Sequence, residues 1–171
     1  MKTLFKWIVP LWSLCVCGGC GYQIGYLGHP QLKTVAVAPV INETLIYNIA
    51  PQVRTALAEC FQTDGTMKVV GETKADCIVY AKVVDCKFSQ VSYSSETTDK
   101  DLNPDQWSVT VTIEYSVMIP GRAAPLIKNN SASGSATFTS GADLEISRAY
   151  AGQQAAFTAS KNVVIQVTEA W

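Results

Sequence analysis

Apolar and polar residues alternate most regularly between Trp107 and Ile119. Trp107, Val109, Val111, Ile113, Tyr115, Val117 and Ile119 take one side; Ser108, Thr110, Thr112, Glu114, Ser116 and Met118 take the other. A period of two over this length predicts a β-strand with one buried face and one that tolerates water. Upstream, Thr34 to Val40 reads as a strand that is apolar on both sides, ending near Pro39. Ile49, Val53, Leu57 and Cys60/Phe61 then recur at helical spacing. Asn48 is placed to cap that helix, Pro51 is tolerated in its first turn, and Gly65 supplies the stop. Met67 to Val70 predicts a short strand. Asp76 to Tyr93 predicts a long one with a bulge near Asp85, where the apolar side changes.

Ser94 to Pro104 is too polar for a core and reads as a long hairpin loop. Pro120-Gly121 marks the next turn, and Lys128 to Thr139 a Ser/Ala-rich strand antiparallel to its predecessor. After Gly141 and Asp143 a last helix is expected towards Trp171, with Ile146, Tyr150, Phe157, Val164, Val167 and Trp171 as its apolar stripe. The order β-α-β-β-β-β-α predicts an α+β fold. Two helices pack on one face of a mostly antiparallel sheet of four to five strands, and the face carrying Ser108 to Ser116 is left open.

Composition agrees with one packed domain. The chain has 171 residues, 48% of them hydrophobic. With 13 basic and 14 acidic residues it lacks the positive charge of a nucleic-acid binder.

The N-terminus changes the picture. Lys2 and Lys6 precede an apolar run from Trp7 to Val16, and Cys17-Gly18-Gly19-Cys20 follows. This is the layout of a secretory signal, too short to span a bilayer as a helix, which needs ~20 residues. Cys20 directly after two glycines resembles a bacterial lipobox. The organisation expected is a lipoprotein signal peptide over 1–19, a lipidated tether over 20–32 and one α/β domain over 33–171. Cys20 would carry N-acyl and S-diacylglycerol chains, and no other cofactor is expected. Without Lys2 and Lys6 the mature chain keeps 11 basic residues against 14 acidic, a charge near −3.

Cys60, Cys77 and Cys86 remain, an odd number. Cys77 and Cys86 share one predicted strand, roughly 30 Å apart at ~3.3 Å per residue, beyond the ~7 Å reach of a disulfide. Any bridge must therefore use Cys60, with Cys77 or Cys86 as partner. The simpler reading is three small buried hydrophobic residues.

Catalytic chemistry finds little support. His29, the sole histidine, precedes Pro30 beside the tether. Asp76, Asp85 and Glu114 lie on strands without an evident facing pair. Cys60 falls on an apolar helix side with no local base. The spacing matches no zinc site, so no metal site is assigned. The expectation is a protein that is not an enzyme.

The order of elements resembles the LptE family of lipopolysaccharide-assembly lipoproteins. The likeness rests on Cys20-Gly21-Tyr22, Val35-Ala36-Val37, the capped helix, Val69-Val70 and Val117-Met118-Ile119-Pro120-Gly121-Arg122. It covers nearly the whole mature chain, and the family fold places two helices on a four-stranded sheet. The resemblance implies a lipid-anchored protein on the periplasmic face of the outer membrane. There it would plug and help assemble the LptD-type β-barrel translocon that delivers lipopolysaccharide to the cell surface. Gly21, rather than an aspartate, fits outer-membrane sorting. The implied partners are that barrel, the outer membrane and lipopolysaccharide, but not nucleic acid. Family members contact lipopolysaccharide through basic residues at the loop end of the sheet. Lys100 is the candidate here, although with Asp99 and Asp101 on either side it departs from the family pattern and reads more simply as a solvated loop charge. The alternative is a periplasmic lipoprotein of another class, an interaction module like the penicillin-binding-protein activators or the curli-secretion lipoproteins.

Overall fold

The computed structural model describes residues 32–93, 104–139 and 143–169. Strands β1 (Thr34–Val37) and β2 (Ile41–Asn42) lead into helix α1 (Ile49–Asp64). Strand β3 (Lys68–Val69) and a single 3-10 turn (Glu72–Lys74) come next. The three long strands are β4 (Cys77–Tyr93), β5 (Pro104–Met118) and β6 (Ile127–Thr139), and helix α2 (Leu144–Glu169) closes the order. The α+β architecture is the one expected, with the two-residue strand β2 in addition to the strands read from the sequence.

The sheet is mixed. Its order is β3-β1-β4-β5-β6, with β2 following β1 along the same side of β4. The early strands β1, β2 and β3 pair in parallel, whereas β4, β5 and β6 form an antiparallel meander. Pro39 interrupts β1 and β2, as a residue without an N–H must within a ladder. The bulge expected near Asp85 is present, with a register shift between Val83 and Asp85. It moves the core-facing set from Cys77, Val79, Ala81 and Val83 to Cys86 and Phe88.

Both helices cover the face presented by Val109, Val111, Ile113, Tyr115 and Val117, all buried. From α1 come Ile49, Val53, Leu57, Cys60 and Phe61, the stripe read from the sequence. Burying each of the larger of these contributes about 1.5–3 kcal/mol. The helix begins differently from expectation. Asn48 sits in the left-handed region (φ 63°) and its side chain makes no capping hydrogen bond. Gly65 ends the helix as predicted, at φ 71°, its N–H donating to the Phe61 carbonyl.

Helix α2 corrects the sequence reading more strongly. Ile146, Tyr150 and Phe157 are exposed, at 55%, 70% and 39%. Val164 and Val167 are buried as predicted, but the rest of the buried side is made by Ala151, Ala155, Ala156, Ala159, Ser160 and Val163. Small residues bring the helix down onto β6 at Gly134. A Cβ there would lie 2.1 Å from the Ala159 amide nitrogen and 2.5 Å from the Ala155 carbonyl oxygen. No side chain fits. The predicted stripe residue Trp171, like the loop from Ser94 onward, lies outside the described residues.

Candidate interaction surface

The helix-free face of β4, β5 and β6 is built by the pleat. Once Val109, Val111 and Ile113 turn to the core, Ser108, Thr110, Thr112 and Glu114 must point the other way. The ladder sets these residues in rows across the three strands. Lys82 lies beside Glu114 and Ser131, Asp85 beside Thr112 and Ser133, Lys87 beside Thr110 and Ser135, and Ser89 beside Ser108 and Thr137. The rows are hydroxyl-rich, with few charges, and the charges are matched. Lys82 Nζ lies 2.9 Å from Glu114 and 3.5 Å from Glu43, and Lys87 Nζ lies 2.7 Å from Asp85. The Glu114 hydrogen bond leads in raising the Lys82 pKa, and the Asp85 hydrogen bond does the same for Lys87. The face is thus polar and close to neutral. One end is less so, where Ile41 and Tyr80 are exposed beside a shallow cleft of about 160 Å³.

The helical side is the less polar one. Pro51, Gln52, Thr55, Tyr150, Gln153 and Phe157 line a groove of about 510 Å³ between α1 and α2. Leu45 and Tyr47, in the β2–α1 connection, are almost fully exposed and border a second groove of about 360 Å³. Arg148 closes that groove's far wall, its guanidinium 4.0 Å from the Phe88 ring centre. An open polar sheet face was legible from the alternation in β5. The exposed aromatics of α2 were not, because the sequence assigns them to the core.

Other candidates resolve into structural parts. The Asp76 carboxylate accepts from the backbone N–H groups of Lys33 (3.0 Å) and Thr34 (2.9 Å) and from the Thr34 hydroxyl (2.8 Å). These bonds, the hydroxyl first, hold its pKa below the usual carboxylate range and fasten the start of β1 to that of β4. Glu114 faces Lys82 rather than a second acid. Cys60, Cys77 and Cys86 are free thiols, the first two buried. Burial pushes all three pKa values up, Cys77 to about 11, which keeps the unreactive thiol form. Among the described residues no three His, Cys, Asp or Glu side chains converge. Cys20 and Lys100, with His29, lie outside the described residues.

One polar cluster was not foreseen. Tyr115 is buried on the core side and donates from its hydroxyl to Gln166 Oε1 (2.9 Å), while Asn130 Nδ2 donates to the same hydroxyl (3.0 Å). It joins β5, β6 and α2 at one point.

No protein-family model matches the chain, and no curated protein matches it in sequence. Solved structures do share its fold. A DUF330 protein from Xanthomonas campestris superimposes with a TM-score of 0.54 at 12% identity, over 81% of this chain and 86% of that one. A minor lipoprotein from Acinetobacter baumannii gives 0.53 at 6% identity, over 81% and 94%. A putative lipoprotein from Caulobacter crescentus gives 0.50 at 9% identity, over 76% and 88%. The chain therefore has an α+β fold that bacterial lipoproteins of known structure also adopt. At these identities the likeness concerns the fold alone.

Proposed function

We propose that this protein is a lipid-anchored, non-enzymatic component of a bacterial outer membrane. In this reading it seats in an LptD-type β-barrel and helps it assemble for lipopolysaccharide delivery. The observation that carries the reading is the helix-free sheet face, with its rows of Ser and Thr and its paired charges. A barrel lumen is polar and wet, so a plug entering it should offer hydroxyls and matched charges rather than apolar bulk. The fold's occurrence among lipoproteins supports the anchor, and Cys20 is the residue that would bear it. The order of elements and the short motifs shared with the LptE family support the particular role. Lys100 remains the candidate contact to lipopolysaccharide.

Extraction from outer membranes in mild detergent, followed by identification of what co-purifies, tests this directly. A large β-barrel in fixed proportion is expected, and depletion of the protein should leave lipopolysaccharide undelivered. Normal delivery after depletion would overturn the proposal. Cys20→Ala should release the domain from the membrane fraction. Unchanged retention would count against the anchor.

The exposed Tyr150 and Phe157 beside the helix groove favour a second reading, a periplasmic interaction module that docks through its helices. Recovery of a peptidoglycan synthase or a homomeric ring, without a barrel, would select it.

A further inference from the structure

Large apolar side chains left in water gather on the helical side. Leu45 and Tyr47 are the most exposed of them among the described residues. The connection that carries them is fastened in place. Asn42 Oδ1 accepts from the Thr44 N–H (2.9 Å) and hydroxyl (2.7 Å), and Asn42 Nδ2 donates to the Ile46 carbonyl (2.9 Å). The Glu43 N–H donates to the Val83 carbonyl (2.9 Å), which pins the same turn to β4. Ile46 packs against the core, and its neighbours Leu45 and Tyr47 are held outward. Covering them therefore costs little further ordering of the chain.

Helix α2 extends the patch. Tyr150 and Phe157 stand along the α1–α2 groove, and Ile146 lies one turn before Tyr150, all three exposed. Gln52 borders both this groove and the one beside Leu45 and Tyr47, so the two are continuous. Glu145 and Arg148 lie 4.0 Å apart there and offset each other, and Glu59 is the carboxylate further along α1. On the open sheet face, by contrast, exposed Ile41 and Tyr80 stand directly beside Lys82 and Glu114. An apolar patch of the first kind marks a contact with a partner or a membrane.

We infer that this patch rests on a lipid bilayer, an inference that takes the anchor at Cys20 from the functional reading above. The occupant follows from where the chain leads. Gly21 to Gln31 is at most ~40 Å of chain. It joins the domain at Leu32, and β1 and β2 then run roughly 20 Å along β4 before the Leu45 connection begins. A lipid on Cys20 keeps the patch within reach of the bilayer and presents that surface at high effective concentration. A few side chains too weak to hold a free domain suffice for a tethered one. Tyrosine suits the boundary, with its ring among acyl chains and its hydroxyl among headgroups. The mature chain has 11 basic residues against 14 acidic, so the contact is apolar rather than a response to anionic lipid. With the helical side down, the hydroxyl-rich sheet face is left to water, where a barrel would meet it.

The lipidated protein in phosphatidylcholine vesicles that contain nitroxide-labelled lipid tests this. A fluorophore on Gln52→Cys should be quenched, and one on Ser135→Cys, on the open sheet face, should not. Cys86→Ser removes the half-buried native thiol from both proteins, and Cys60 and Cys77 are buried. Leu45→Ser with Tyr47→Ser should cut the quenching at Gln52 about tenfold. Circular dichroism should not change, since both side chains are exposed. Equal quenching at the two labels, or quenching that survives both serines, overturns the inference. So does a Gln52 label shielded only when a co-purifying protein is added, which would assign the patch to that protein. Flotation with the vesicles is read separately. A protein that does not float has lost the anchor reading and this inference with it. One that floats with its Gln52 label unquenched sinks this inference alone.

Discussion

Helix α1 meets the parallel half of the sheet with bulk, whereas the middle of α2 meets the antiparallel half with alanines. Ile49, Val53, Leu57 and Phe61 hold α1 over β1 and β4 by filling the space between backbone layers. Ala151, Ala155, Ala156 and Ala159 let α2 settle on β6 until its backbone reaches Gly134. The first half is held by area buried, the second by closeness of approach. Each half has its own polar fastening too. Asp76 ties β1 to β4 beneath α1, and Tyr115 with Gln166 and Asn130 ties β5 and β6 to α2. Two ways of packing a helix on one sheet should fail in different ways.

Truncation should damage the bulky half most. Phe61→Ala removes the largest wholly buried side chain of α1 and should cost about 4 kcal/mol in chemical unfolding. The same truncation has no counterpart where α2 crosses Gly134, since its core face there is already alanine. There, enlargement is the damaging change. Gly134→Ala should cost about 3 kcal/mol, because the new methyl meets helix backbone rather than a movable side chain. A loss under about 0.5 kcal/mol would mean that α2 does not lie as close as described.

Tyr115→Phe keeps the ring and removes the hydroxyl, at about 1 kcal/mol by the same assay. Because Asn130 and Gln166 also lie close to each other (3.4 Å), the loss should not leave either unpartnered. A smaller effect, confined to acid, should appear at Asp76. Its folded pKa is depressed, so its stabilising bonds are fully present above the ordinary carboxylate value near ~3.9. They are lost as pH falls through the lower folded value, because the unfolded chain then binds the extra proton. Melting temperature should therefore fall below about pH 4 in the wild type and fall less in Asp76→Asn. Ile146→Ser and Tyr150→Ser should change stability by no more than about 0.5 kcal/mol, since both side chains are exposed. Losses of 2 kcal/mol or more would restore the stripe that periodicity assigned to α2.

The two halves also differ in how far they could be read in advance. The α1 stripe, the β5 alternation and the bulge near Asp85 follow from large residues at fixed spacing, and each stands where it was expected. The α2 stripe misled because hydrophobic periodicity weighs Tyr150 and Phe157 above Ala155 and Ala159. Size sets that weight, yet at a close crossing only the smallest residues fit. Asn48 misled for a related reason. Its side chain suits a cap, but the chain arriving from Tyr47 places it in the left-handed region instead. The polar sheet face was legible because alternation fixes both faces of a strand at once. Its pairings were not: Lys82 meets Glu43 and Glu114 across strands whose register no local pattern states.

What the sequence determined by itself is therefore local and large-scale at once: the α+β class, the order of the main elements, the bulge in β4 and the buried side of β5. These depend on spacing along the chain, which tertiary contact did not override. The tertiary structure alone decided that the alanines rather than the aromatics of α2 are buried, why Gly134 is required, and where Asp76 and Tyr115 find their partners. Each of these is a distance between residues far apart in the chain, set when the sheet and helices close on one another, and no pattern within a single segment contains it.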